Sequence, residues 1–168
     1  MKSSLKVGLA GISFLGLVCT FVHPFGAVKA THSDAPLFTG AQMPSSVADV
    51  VERSCQNCHS ERTVWPWYSY VPPISWMVEK DVQQARKQMN LSHWQGYSTE
   101  EQMEILARLG AEVRNHQMPV PRYLSIHKEA RLSESDVQHL YDWSRKERRR
   151  LRLNGSPSAK GSDGLEVR

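Results

Sequence analysis

The stretch Cys55-Gln56-Asn57-Cys58-His59 decides how the rest of this chain is read. Cys-x-x-Cys-His is the attachment signature of a covalently bound haem c. Thiols three positions apart sit about one helical turn from each other, so both reach the two vinyl groups on one porphyrin edge. The imidazole directly after the second thiol then lies under the ring and ligates the iron. Cys55 and Cys58 are expected to form the thioethers, and His59 to be the proximal ligand.

Two other chemistries use closely spaced cysteines. A thioredoxin-type dithiol wants a βαβ context, and no β-alternation of useful length occurs here. A zinc site needs two further ligands. His93, His116 and His127 are at hand, but there is no second cysteine pair. Haem attachment is the better reading.

The chain opens like an exported protein. Lys2 and Lys6 precede a charge-free apolar run from Val7 to Val22, and Val28-Lys29-Ala30 suits a signal peptidase. Residues 1–30 are therefore expected to be a signal peptide cut after Ala30, and the protein to be periplasmic. The run is shorter than the roughly 20 residues of a membrane span, and an uncleaved anchor is the alternative. Of the 21 Lys and Arg, three (Lys2, Lys6 and Lys29) precede residue 31, where there is no Asp or Glu. The remainder, with 17 acidic side chains, is close to neutral. A nucleic-acid partner loses its electrostatic footing. Beyond residue 30 only Cys55 and Cys58 remain, which is no disulfide scaffold.

Periodicity predicts an all-α domain. Residues 31–42 are polar and irregular and read as a linker. Met43-Pro44-Ser45-Ser46 opens a helix with Val47, Val50 and Val51 at helical spacing, running into Cys55. Pro66, Pro72 and Pro73 break the aromatic segment 63–73 into an ordered loop. A second helix, 73–90, has Ile74, Met77, Val78, Val82, Ala85 and Met89 on one stripe, and Met77, Met89 and Met103 read as core. Ser98-Thr99-Glu100-Glu101 is a capping box opening a third helix with Met103, Leu106, Leu109, Gly110 and Val113 inward. Ser133-Glu134-Ser135-Asp136 opens a fourth, with Val137, Leu140, Tyr141 and Ser144 inward. The domain spans 43–153, and 154–168 is expected to be a disordered tail.

The sixth iron position separates electron transfer from small-molecule binding. Met118 is the leading distal candidate, because Pro119 pushes it to extended geometry in a non-helical stretch. A thioether there raises the potential. His116 and His127 are rivals that give a lower-potential bis-histidine iron, and core packing is the ordinary use of methionine. Trp65, Trp67 and Tyr68 are candidates for the haem pocket wall, with ordinary packing as the competing account. Arg62 is read as solvated. The run Arg145–Arg152 is read as a solvated helix end, with an acidic partner or an anionic membrane surface as the alternative.

Taken together, the blocks 54–60, 63–69, 73–76, 81–82, 90–94, 118–123 and 127–133 resemble the bacterial haem-binding-domain family of small exported proteins. The likeness covers about 47–145. It implies a cytochrome-c-like domain of about four helices with long ordered loops around one covalent haem, held by Cys55, Cys58 and His59. It supports Met118, within Met118-Pro119-Val120-Pro121-Arg122-Tyr123, and brings Tyr123 to the pocket. The expected function is a monohaem c-type cytochrome carrying single electrons between unidentified redox proteins, not an enzyme. A haem-based peroxidase or small-gas sensor with an open sixth position is the alternative. Membrane contact through an uncleaved N-terminal segment or the basic run stays open.

Overall fold

Prolines and small polar residues divide this chain into helices of very different length. The computed structural model describes residues 2–22, 24–26 and 28–155. The α-helices are α1 (Lys2–Phe21), α2 (Ser45–Ser54), α3 (Gln56–His59), α4 (Ile74–Gln88), α5 (Thr99–Arg114), α6 (Pro121–Leu124) and α7 (Glu134–Gly155). Short 3-10 turns fill several loops, and no strand occurs among the described residues. The fold class is all-α. The four helices expected from periodicity are α2, α4, α5 and α7. Helix α7 runs through Gly155, and the rest of the expected tail, 156–168, lies outside the described residues.

The chain divides into two units, one made of residues 1–37 and 56–92, the other of 38–55 and 93–168. In the second unit α5 and α7 form the main helix pair, and α7 also meets α2. Helix α5 starts with the predicted box: the Ser98 hydroxyl accepts from the Glu101 N–H (3.2 Å), and Glu101 accepts from the Ser98 N–H (2.8 Å). Helix α7 starts the same way, Ser133 and Asp136 exchanging bonds of 3.2 and 2.8 Å. Ile105, Leu106, Leu109 and Val113 of α5 are buried, as are Val137, Leu140, Trp143 and Leu151 of α7. Gly110 makes the close approach possible, since a Cβ there would lie 2.6 Å from Ser144 Oγ.

The segment read as a linker does structural work in this unit. Phe38 is 1% exposed and sits edge-on to Trp94 (4.7 Å) and Trp143 (5.0 Å). Burying such a ring contributes roughly 1.5–3 kcal/mol. Nearby, Gln42 accepts a bond from Trp143 Nε1 (2.8 Å) and donates its N–H to the buried Glu147 (3.3 Å). Part of the basic run is equally fixed. Arg150 reaches both Glu147 oxygens and the Gly40 carbonyl, while Arg145, Lys146, Arg149 and Arg152 stay exposed.

In the first unit α4 is the central helix, touched by α3, by the 3-10 turn Trp67–Tyr70 and by the turn Val28–Ala30. Its buried face differs from the predicted stripe. Ser75, Glu79 and Val82 are buried, whereas Ile74 is exposed and Met77 is 49% exposed. Met77 is therefore not core. The apolar count of the helix misleads because hydrogen-bonded polar side chains occupy the inner face.

Candidate haem site

Helix α2 delivers Cys55. Val47, Val50 and Val51 bury one side of it, and Cys55 is its C-terminal cap, donating its N–H to the Val51 carbonyl at 2.9 Å. The chain then makes one further helical turn, α3, which carries Cys58 and His59. Both cysteines are half-buried, and neither is in a disulfide. The turn is closed by side chains. Ser60 donates its N–H and hydroxyl to the Gln56 carbonyl (3.0 and 2.7 Å). The Thr63 hydroxyl donates to the Asn57 carbonyl (2.7 Å), and the Asn57 side chain accepts the Val64 N–H (3.0 Å).

His59 is held by the end of α4. Its Nδ1 lies 3.1 Å from the Ala85 carbonyl oxygen and 3.2 Å from that of Met89. Carbonyls only accept, so Nδ1 carries the proton and Nε2 keeps the lone pair a metal needs. Burial pushes the His59 pKa below its ordinary value, against the two carbonyl bonds that raise it. The downward shift favours the neutral imidazole, the state in which histidine ligates.

Arg86 is a positioning residue that sequence reasoning missed. Its guanidinium donates to the Ser60 carbonyl (2.8 Å), the Thr63 hydroxyl (3.0 Å) and the Val28 carbonyl (3.2 Å). It clamps the exit from the cysteine motif onto α4. Its only sequence signal was a charge at the polar edge of a helix. Glu61, Asn90 and Ser92 continue the network: Glu61 takes a bond from Asn90 Nδ2 (3.3 Å) and gives its N–H to Ser92 (3.0 Å).

The aromatic candidates separate. Trp65 is half-buried with the Lys29 ammonium 5.4 Å from its ring centre. Trp67 is 79% exposed, and Tyr68 meets it edge-on at 5.9 Å. In the other unit Tyr123 stacks on His127 at 4.3 Å, and His127 Nδ1 pairs with Glu129 at 2.9 Å. Met118 is 38% exposed. His116 has a structural task. It adopts a left-handed φ of 54° just past the end of α5. Its N–H donates to Val113 O (3.1 Å) and the next N–H, of Gln117, to Glu112 O (2.9 Å). This pair of bonds is a Schellman stop, and it sets the point from which the chain leaves toward Met118. Among the described residues no group of three or more His, Cys, Asp or Glu is placed to hold a metal ion, so the zinc reading gains no second ligand set.

Compared with known families, the chain matches the haem-binding domain over residues 14–146. It belongs to that family. No curated protein matches it, and no solved structure does. The match extends further toward the N-terminus than the resemblance read from 47–145, taking in the latter part of α1 and the turn Val28–Ala30. The residues present fit the prosthetic group of a haem-binding domain. His59 supplies a neutral imidazole nitrogen, and Cys55 and Cys58 supply thiols on adjoining helical turns.

Proposed function

We propose that this haem-binding domain is a monohaem c-type cytochrome of the periplasm, passing single electrons between larger redox proteins. Cys55 and Cys58 carry the haem as thioethers, His59 is the proximal ligand and Met118 the distal one. The haem iron supplies the one-electron chemistry when bound. The chain's own part is to hold the ligands still. The observation that carries this reading is the orientation of His59, whose Nδ1–H is shared by Ala85 and Met89 next to a Cys-x-x-Cys pair. That bond fixes the tautomer and raises the basicity of the ligating nitrogen, as outer partners of ligating histidines do.

No enzymatic turnover is assigned. Met118 carries the choice between an electron carrier and an open site for peroxide or small gases. The test is an absorption and magnetic spectrum of protein matured in a host competent in cytochrome biogenesis. A six-coordinate low-spin iron that binds carbon monoxide slowly supports the carrier. A five-coordinate high-spin ferric iron with rapid carbon monoxide binding replaces it with the sensor or peroxidase reading.

A further inference from the structure

The residues expected to be discarded on export are built into the first unit. Trp76, Glu79, Gln83 and Arg86 recur every three or four positions and form one stripe of α4. Each of the four ends on the segment 22–29. Trp76 Nε1 donates to the Val22 carbonyl (2.8 Å), Gln83 Nε2 to that of Phe25 (2.8 Å) and Arg86 to that of Val28 (3.2 Å). Glu79 receives the Lys29 ammonium at 2.9 Å. The Glu79 side chain is 1% exposed and that of Lys29 18% exposed. Lys29 also donates to the Ser69 carbonyl and lies 4.5 Å from the centre of the Tyr70 ring. Val28 is buried, and Ser33 donates its N–H to Glu61 (3.3 Å).

Ala30 and Thr31, which flank the expected cut, are exposed, so what opposes release of the leader is the tether on its N-terminal side rather than shielding of the bond. Here Val28–Ala30 is a 3-10 turn whose first residue is buried and whose second is bonded through its side chain. A cut after Ala30 that released the leader would take Lys29 away and leave the Glu79 carboxylate buried without that cation, which is strongly unfavourable. A second observation points the same way. The family match starts at residue 14, ahead of the expected cut, so this segment follows the family's pattern.

We propose that the chain is not cut after Ala30, and that the mature protein begins no later than Val22. Residues 22–33 are a permanent strap on α4, with Lys29 the resident counter-ion of Glu79. The experiment is intact-mass and N-terminal peptide analysis of full-length protein purified from the periplasmic and membrane fractions of a maturation-competent host. Covalent haem adds its own mass increment, so loss of haem and loss of the strap are read separately. A chain starting at or before Val22 is expected, and an N-terminus beyond Val22, above all at Thr31, overturns the proposal. A thermal-denaturation cycle tests the counter-ion. Lys29→Met should lower the melting temperature, and Glu79→Gln in the same chain should recover most of the loss. Additive effects of the two substitutions would overturn the pairing.

Discussion

The Nδ1 of His59 shares its proton between the carbonyl oxygens of Ala85, at 3.1 Å, and Met89, at 3.2 Å. The end of a helix leaves carbonyls without intrahelical partners, and here the carbonyl of the cap residue Met89 turns to the imidazole together with that of Ala85, which also accepts the Met89 N–H at 2.9 Å. The arrangement serves both sides: the Met89 carbonyl gains a donor and the ring is held in one tautomer. Substituting His59 removes both. His59→Ala is expected to abolish stable holoprotein in a maturation-competent host, as read by a pyridine haemochrome assay. Normal haem content in that variant would show that His59 is not the proximal ligand.

Met118 and His116 are two positions apart but are expected to answer differently. Met118→Ala should remove the thioether ligand and lower the reduction potential, by a measurable part of the ~0.8 V that axial ligands span. His116 holds a left-handed backbone at a helix stop, which costs a non-glycine residue roughly 1–2 kcal/mol and suits glycine. His116→Gly should therefore raise the melting temperature and leave the visible spectrum and potential unchanged. The opposite pattern in a redox titration, silent at 118 and large at 116, would make histidine the distal ligand.

Arg86 joins three pieces of chain through Ser60, Thr63 and Val28. Hydrogen bonds from a charged donor contribute about 1.5–3 kcal/mol each where they are shielded from water, and this guanidinium is partly exposed. Arg86→Ala should cost about 2–4 kcal/mol on that scale. Arg86→Lys should recover little, because an ammonium cannot span three acceptors in the plane of the fork. Chemical denaturation measures both, and an Arg86→Lys variant as stable as the parent would show that the three-acceptor fork does not clamp the chain.

Local signals made the framework legible. Ser98 with Glu101 and Ser133 with Asp136 announced two helix starts, and the valines at 47, 50 and 51 announced a third. The Cys-x-x-Cys-His motif fell at the end of its helix as spacing required. Long-range polar burial was hidden. Glu79 looks like surface on any hydropathy scale, yet it is buried because Lys29, 50 residues away in sequence, pairs with it. Phe38 looks like an isolated apolar residue in a polar segment until Trp94 and Trp143 converge on it. Trp67 shows the converse, an aromatic in a distinctive block that the fold leaves exposed.

Gly110 tests the α5–α7 contact. A methyl added there meets Ser144 Oγ at 2.6 Å and Tyr141 Cδ2 at 3.4 Å, and Ser144 is itself buried and bonded to the Tyr141 carbonyl (2.8 Å). Overpacking of this kind costs roughly 1–3 kcal/mol. Gly110→Ala should lower stability by about that much on the same basis, although alanine favours a helix more than glycine does. Gly110→Ala with Ser144→Ala should recover part of it, since the contacts that remain, to Tyr141 Cδ2 at 3.4 Å and to Ser144 Cβ at 3.7 Å, are ordinary van der Waals distances. Equal stability of the single and double variants in urea would place the strain elsewhere.

Asp136 links the start of α7 to the helix that carries Cys55. Burial pushes its pKa up, but the Ser133 N–H and hydroxyl, with the Arg53 guanidinium at 3.0 Å, hold it below the usual carboxylate value. Arg53 also donates to the Glu129 and Arg131 carbonyls (2.6 and 2.9 Å), so one side chain of α2 anchors the loop that leads into α7. The sign follows from the depressed pKa. The folded state favours the ionised carboxylate, so its stabilisation is fully present above the unfolded value of 3.8 and fades as the pH falls through the lower folded value. Asp136→Ala should cost about 1 kcal/mol near neutral pH, the usual worth of a helix cap. The gap between variant and parent should close on acidification. Melting temperatures at pH 7 and near pH 3 decide it, and a gap that stays constant between them means that packing, not the charge, holds α7 to Arg53.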